Sequence, residues 1–363
     1  MNMEQIITEG KARIIASKGK ISAKMPVFYN PVMKLNRDIS LLLLNSLRKN
    51  RLRVADPLAA SGVRAIRFLL ELKKDKIKRI AINDANEKAV EAIIRNLKLN
   101  KIDMSKVEVY NNDANLFLLE SSVSFDYVDI DPFGSPNNFL DAAVKKIARD
   151  GILAVTATDT SALAGSFPEA CARKYWAKPL RNEEMHEVGL RILIRKVQLI
   201  AGQYEKALTP ILSFATEHYY RVFLKCAKGK KKVDEIIRLH GMYKNAGPMW
   251  VGRLWDDRLV EAMWKYFERN KERFENRKEI FSLLSAIKEE SKINAVGFYD
   301  IHALCKENKI KKVPKRDLVI SAVKRKGCKA ARTHFTGTAI RSTIPEEKIV
   351  ALIKKLSKKI GKI

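Results

Sequence analysis

Between residues 51 and 157, five short apolar segments alternate with stretches of helical character. The apolar segments are 51–55, 80–83, 107–110, 125–131 and 151–157. Helical stretches occupy 63–74 and 86–100, and two more open at Asn112-Asp113-Ala114 and at Asn137. Strands at this spacing, each followed by a helix, predict an α/β fold with a parallel, doubly wound sheet. Two further segments, 211–215 and 219–226, flank a short turn and predict an antiparallel edge to that sheet.

The fourth segment ends in the string FDYVDIDPFGSP, residues 125–136. Proline cannot donate to a sheet ladder and pushes its predecessor towards extended geometry, so the strand is expected to stop at Asp131. Gly134 and Pro136 then form a turn. A carboxylate at the carboxyl end of a parallel strand lies where open α/β sheets bind ligands. The side chain two positions on, Phe133, can stack on a flat ring.

Two other acids follow strands of the same sheet. Asp84 comes 28 positions after Asp56, where a carboxylate can accept both hydroxyls of a ribose. Asp113, after the third strand, is placed to meet an adenine edge. Either acid could instead cap a helix, Asp113 above all. The loop after the first strand, DPLAASG, keeps only Gly62 and is not a GxGxxG fingerprint. Three acids closing three strands of one sheet still favour a nucleoside ligand.

Charge points to the partner. The chain of 363 residues carries 70 Lys and Arg against 41 Asp and Glu, a net charge of +29. Lys enrichment from a hot environment would bring Glu with it, and here the acids lag, so a polyanion is expected. There is no run of about 18 apolar residues and no signal-peptide pattern, which predicts a soluble, cytoplasmic protein. The four cysteines, Cys171, Cys226, Cys305 and Cys328, are isolated and form no disulfide framework or CxxC pair.

Upstream, residues 12–24 are expected to form an early strand or hairpin, and 26–36 a structured loop rich in Pro and Asn. Phe28 and Tyr29 lie in that loop. A helix should start near Asn36, which puts Arg37 at a helix start, where a cation opposes the helix dipole. An anionic partner such as a ligand carboxylate would account for it.

The strings PVFYNPVMKLNRDIS, DPLAASGVRAIRF, INDAN, NNDAN, DPFGSP and ARTHFTGTAIRST together resemble the tRNA (guanine-26-N2) dimethyltransferase family, over residues 8 to 345. The resemblance implies a Rossmann-like methyltransferase domain, S-adenosylmethionine as cofactor and tRNA as partner. It also implies site residues. Arg37, Arg67, Asp84, Asp113 and Ala114 match cofactor-binding positions. Asp131 matches the catalytic acid, assisted by the Pro132 carbonyl, with Phe28 and Phe133 on the two faces of the target guanine. A sister enzyme acting on adenine N6 or another guanine shares the acid-Pro-aromatic site. A non-catalytic tRNA-binding module should have lost Asp131 or Asp84, and neither is lost. No obligate protein partner is implied.

Many members of that family carry paired zinc-binding cysteines before a Gly-Pro-Leu-Trp-like stretch. Here the stretch survives as Gly247-Pro248-Met249-Trp250, but only Cys226 lies locally upstream of it and His240 stands alone, so no structural zinc is expected. Residues 1–227 are therefore expected to form the methyltransferase domain with an N-terminal extension, and 228–363 a basic α+β domain that binds tRNA. From residue 227 onward there are 34 Lys and Arg against 16 Asp and Glu. Helices at 256–267 and 278–290, a helix pair at 299–307 and 315–326, and a short hairpin give the tail a winged-helix-like pattern.

Overall fold

The computed structural model describes residues 4–17, 25, 27–216 and 218–360. A hairpin comes first, β1 (Glu4–Glu9) and β2 (Ala12–Ser17), turning at Gly10. Gly10 has φ +57° and a Cβ there would lie 2.4 Å from Glu71 Oε1, so only glycine fits. The expected hairpin region beyond Ser17, residues 18–24, lies outside the described residues. A short 3-10 turn (Pro31–Met33) leads into α1 (Lys34–Ser46), which starts slightly before the expected Asn36.

The doubly wound unit follows: β3 (Leu52–Asp56), α2 (Val63–Glu71), β4 (Ile77–Asn83), α3 (Glu87–Leu99), β5 (Val107–Tyr110), α4 (Ala114–Glu120), β6 (Phe125–Ile130), α5 (Leu140–Lys146) and β7 (Ile147–Ala157). Three helices come next, α6 (Thr160–Leu163), α7 (Pro168–Tyr175) and α8 (Met185–Gly202). The hairpin β8 (Lys206–Ala215) and β9 (Tyr220–Lys228) closes the sheet. Strand order is β5-β4-β3-β6-β7-β9-β8. The first five run parallel, while β9 pairs antiparallel with both β7 and β8. This is the doubly wound sheet with the antiparallel edge that the sequence predicts. Pro210 is tolerated in β8 because that strand is an edge with a register shift at that point.

The order reverses between β3 and β6, so the loops leaving their carboxyl ends part and leave a crevice. Burial explains why the segments read as apolar runs. Every residue of β6 is buried, and β3 is nearly so.

The chain continues through α9 (Lys230–Ile237), the hairpin β10 (His240–Tyr243) and β11 (Ala246–Trp250), α10 (Asp257–Asn270) and α11 (Arg277–Glu290). The large sheet ends at Lys228, but the apolar core continues past it and runs from Ala12 to Ile287. A separate apolar cluster spans Ile301 to Ile353. It is built from β12 (Tyr299–Asp300), α12 (Ile301–Glu307), α13 (Arg316–Arg325), β13 (Ala330–Arg332), β14 (Ala339–Ser342) and α14 (Glu346–Ile360). The three strands form a sheet in the order β12-β14-β13. A strand, two helices, a hairpin and a closing helix in this succession make a winged-helix-like unit.

The hairpin loop does not project as a free wing. Arg341 is fully buried between Glu187 of α8 (Nη2–Oε2 2.6 Å) and Glu290 of α11 (Nε–Oε2 3.0 Å), and it also donates to the Gly297 carbonyl (2.8 Å). Thr333 Oγ1 donates to Glu290 (2.8 Å), His334 Nδ1 donates to the same carboxylate, and the Ala215 N–H donates to His334 Nε2 (3.4 Å). Burial alone would raise the Glu187 carboxyl, but Arg341 and Arg191 outweigh it and hold it at about 2. The ARTHFTGTAIRST string thus joins the winged helix to the large sheet and the helices packed on it. Among the described residues no helix is long and apolar enough to cross a membrane, and no cluster of His, Cys, Asp or Glu suits a metal ion.

Candidate active site

A cavity of about 670 Å³ opens at the sheet reversal. Its floor carries Asp56 from the end of β3, Asp84 after β4 and Asp131 after β6, with Arg64 of α2 between them. Its mouth is formed by Phe28, Pro132, Phe133 and Ser135. Of the nine residues expected at a site, six line it: Phe28, Arg37, Asp84, Asp131, Pro132 and Phe133.

Asp131 is held from behind. Arg64 donates through Nη2 to Asp131 Oδ2, and its Nη1 reaches Asp129 Oδ2 at 3.2 Å. Asp129 is fully buried and also accepts from Arg221 (Nη2–Oδ2 2.7 Å, Nη1–Oδ1 2.9 Å) and from the Tyr127 hydroxyl (2.6 Å). Asn36 and Ser40 of α1 accept from Arg64 at 3.1 and 3.2 Å. Burial opposes the Asp129 charge, yet Arg221 and Arg64 prevail and hold its carboxyl below the ordinary value. Sequence reasoning passed over Asp129 and Arg64. A usable signal was present, because residues two apart on a strand share a face, so Asp129 and Asp131 had to point the same way.

Asp56 behaves differently. It is almost wholly buried and its Oδ2 has no hydrogen-bond partner. Burial raises its carboxyl to about 7, and Asp129, Asp131 and Asp84 add to this while Arg64 opposes it. Asp84 accepts from the Ala60 and Asn86 N–H groups, at 2.8 and 2.9 Å. Those bonds aim the carboxylate across the small-residue loop, which Gly62 closes with φ +75°.

The remaining residues depart from expectation. Arg37 does meet a carboxylate, but a protein one: Glu9 of β1, at 2.7 Å from Nε and 2.6 Å from Nη2. Burial would raise the Glu9 carboxyl, but Arg37, Arg67 and the Tyr29 hydroxyl hold it at about 2. Arg67 is not on the cavity wall. It is buried one layer behind, donating to Glu9 (2.8 Å), Asp38 (2.7 Å) and Glu71 (2.7 Å). Asp113 is exposed and caps α4, accepting from the Asn115 and Leu116 N–H groups at 2.9 and 3.2 Å. Ala114, the first residue of that helix, is buried, and neither lines the cavity. Phe28 and Phe133 touch each other edge to face, with centroids 4.5 Å apart and planes at 72°. Two faces of a base would need them parallel and further apart. Phe133 is 55% exposed and hangs over the mouth.

The family model for N2,N2-dimethylguanosine tRNA methyltransferases matches residues 4–245 and 238–354. This chain belongs to that family. A tRNA (guanine(26)-N(2)/guanine(27)-N(2))-dimethyltransferase of Aquifex aeolicus is 38% identical, over 97% of this chain and 96% of that protein. A tRNA (guanine(26)-N(2))-dimethyltransferase of Pyrococcus horikoshii is also 38% identical, over 98% and 100%. The solved complex of Trm1 from Pyrococcus horikoshii with S-adenosyl-L-methionine superposes with a TM-score of 0.88 at 37% identity, covering 96% of this chain and all of that one. That solved relative thus shares this chain's fold over nearly its whole length.

Asp56 gives the site a pH signature. A carboxyl raised from 3.8 to about 7 on folding binds its proton more tightly in the native state. The stability it contributes is complete below about pH 4 and is lost as pH rises through about 7. Asp56→Asn should therefore raise the melting temperature of the unliganded protein at pH 8, by a gain on the order of 1–4 kcal/mol, and change it little at pH 4. Thermal denaturation of both proteins across this range checks it. Equal shifts at both ends would show that Asp56 ionises as freely in the fold as in the unfolded chain.

Proposed function

We propose that this protein transfers one or two methyl groups from S-adenosylmethionine to the exocyclic N2 of guanine 26 in tRNA. The observation that carries the reading is the Asp131-Pro132-Phe133 corner at the sheet reversal, with its acid braced by Arg64 in a cavity that also holds Asp56 and Asp84. The residues suit the cofactor: Asp84 is aimed at the loop where a ribose would lie, and the orphan Asp56 oxygen offers an acceptor. We assign Arg37 and Asp84 to cofactor contact and Asp113 and Ala114 to its adenine end. Arg67 acts through Glu9, which it shares with Arg37.

When bound, S-adenosylmethionine supplies an electrophilic methyl group on a sulfonium. The protein's task is to present the nucleophile. Guanine N2 is a weak one, since its lone pair is delocalised into the ring. Asp131 accepts a hydrogen bond from N2–H and later its proton, and the Pro132 carbonyl takes the second N–H. That turns the lone pair towards the methyl donor. Much of the rate comes from holding two substrates in line, a proximity effect of roughly 7–11 kcal/mol. The base must leave its stack, and Phe28 and Phe133 offset part of that cost of a few kcal/mol by separating to receive it. A cavity open at its mouth leaves room for a monomethyl amine to turn and accept a second methyl.

Residues 228–363 we assign to holding the tRNA. Its basic side chains gather on and beside α13, where Lys311, Lys312, Lys315, Lys324, Arg325, Lys326 and Lys329 are exposed. Because the deep groove of A-form RNA hides sequence, such a surface reads phosphates and shape.

Asp131→Ala should abolish methyl transfer to a tRNA transcript while calorimetry finds S-adenosylmethionine and tRNA bound nearly as before. Turnover close to wild type would remove Asp131 from the mechanism. For the grip, Lys324→Ala with Arg325→Ala should weaken binding of different tRNAs alike. It should also flatten the dependence of log affinity on log salt, by roughly one phosphate's worth of slope per lost contact. An unchanged slope would return these cations to a solubilising role.

A further inference from the structure

The catalytic cavity takes one base, but the nucleotides on either side must also be held once the target leaves its stack. The best placed feature for this is Trp176, at the carboxyl end of α7. Of the four tryptophans, Trp250 and Trp255 are buried and Trp264 is half-buried beneath Lys288, whereas Trp176 is 49% exposed. Its backbone is left-handed, with φ 56° and ψ 40°, and its N–H closes the helix on the Ala172 carbonyl at 3.0 Å. That is a position where folding favours glycine or asparagine and disfavours a bulky ring. An indole kept there, half in water, contributes little to the core.

The ring is nevertheless fixed. The Lys196 ammonium sits 3.0 Å from its centroid, and Arg195 Nη1 donates to its carbonyl at 3.3 Å. One face is occupied by a cation, and about half of the residue is open to solvent, 49%. A rigid indole with one open face suits stacking of a nucleobase, which is tolerant of sequence because every base has a π-face.

Helix α7 is also tied to the cavity mouth. Asn137 Nδ2 donates to the Lys174 carbonyl at 2.7 Å, and the Tyr175 hydroxyl lies 3.1 Å from the hydroxyl of Ser135, a mouth residue. Exposed Arg173, Lys174 and Lys178 flank Trp176 in sequence, with Glu169 the acid on the same helix and Asp159 paired to Lys174. Phe167 lies at the helix's other end, 62% exposed. Excess positive charge around open aromatic faces matches single-stranded RNA better than a protein surface.

We propose that Trp176 is a stacking platform for a tRNA nucleotide adjacent to the target guanine, resting on the functional reading above. It makes α7 a second RNA contact, on the catalytic domain and separate from the basic winged helix.

The test uses the full chain and a tRNA transcript. Trp176→Ala should raise the KM for tRNA by about 10-fold, and Trp176→Phe by no more than about 3-fold, with kcat and S-adenosylmethionine affinity unchanged. A wild-type KM in the alanine variant would overturn the proposal and leave the methyltransferase reading intact. So would a loss of cofactor affinity equal to the loss for tRNA. Fluorescence of the wild-type protein gives a second measurement that needs no variant, since Trp176 is the tryptophan open to water. Bound tRNA should protect it from acrylamide quenching, and quenching unchanged by saturating tRNA would overturn the platform. A wild-type chain that neither binds nor methylates tRNA would overturn both readings.

Discussion

The buried carboxylate of Asp129 is the interaction on which the catalytic half depends. A lone charge at that depth would be prohibitively costly, and two guanidinium groups from different parts of the chain offset it. Arg64 comes from α2, the helix after the first strand, and Arg221 from the antiparallel strand β9. Ser40 of α1 bonds both, at 3.2 and 3.0 Å. One acid thus ties β6, α2, β9 and α1 at the point where the sheet reverses. Removing either arginine would leave a buried charge short of a partner, a change that costs about 3–5 kcal/mol in comparable cases. The arrangement also has a chemical consequence. Arg64 continues past Asp129 to Asp131, so the acid at the cavity floor is aimed by the same cluster that fixes the sheet.

Two similar clusters extend this organisation outward. Around Glu9, the side chains of Arg37, Arg67 and Tyr29 bind the N-terminal hairpin to the cavity wall. Around Arg341, Glu187 and Glu290 bind the winged helix to α8 and α11. Each joins segments far apart in sequence through buried charges, where orientation matters more than net stability. The basic surface of α13 is thereby held in fixed relation to the cavity. Such fixation suits an enzyme that must present one base of a large, rigid substrate.

Much of this was legible in the sequence, and the reasons are local. The central strands are buried on nearly every residue, which made them readable as apolar-rich runs, and Asp-Pro marked the end of β6. The helix pair and hairpin of the winged helix carried their own periodicity. What escaped was long-range or hidden by burial. Glu9 lies 28 residues from Arg37, and nothing local joins them, so a ligand seemed the natural counter-ion. Helix α8 is buried on nearly all sides, and its apolar run is broken by Glu187 and Arg191, which pair with each other while Glu187 also holds Arg341. It therefore shows neither a clean amphipathic stripe nor a strand alternation. Nothing local marks the partner of His334 and Thr333 either, because Glu290 stands more than forty residues upstream. Asp113 fell between two roles, and its capping bonds were as predictable as its place beside a ligand.

The central claim is that the Asp131 corner presents guanine N2 for methylation. The most direct measurement is to incubate an unmodified tRNA transcript with the purified protein and S-adenosylmethionine, then digest it and locate the added mass by nuclease mapping. The account predicts 14 or 28 mass units, roughly one or two methyl groups, on the N2 of guanine 26, since the acid-Pro-aromatic corner is built to orient an exocyclic amine. Methylation of a ring nitrogen, of a ribose or of an adenine, with guanine 26 untouched, would contradict it.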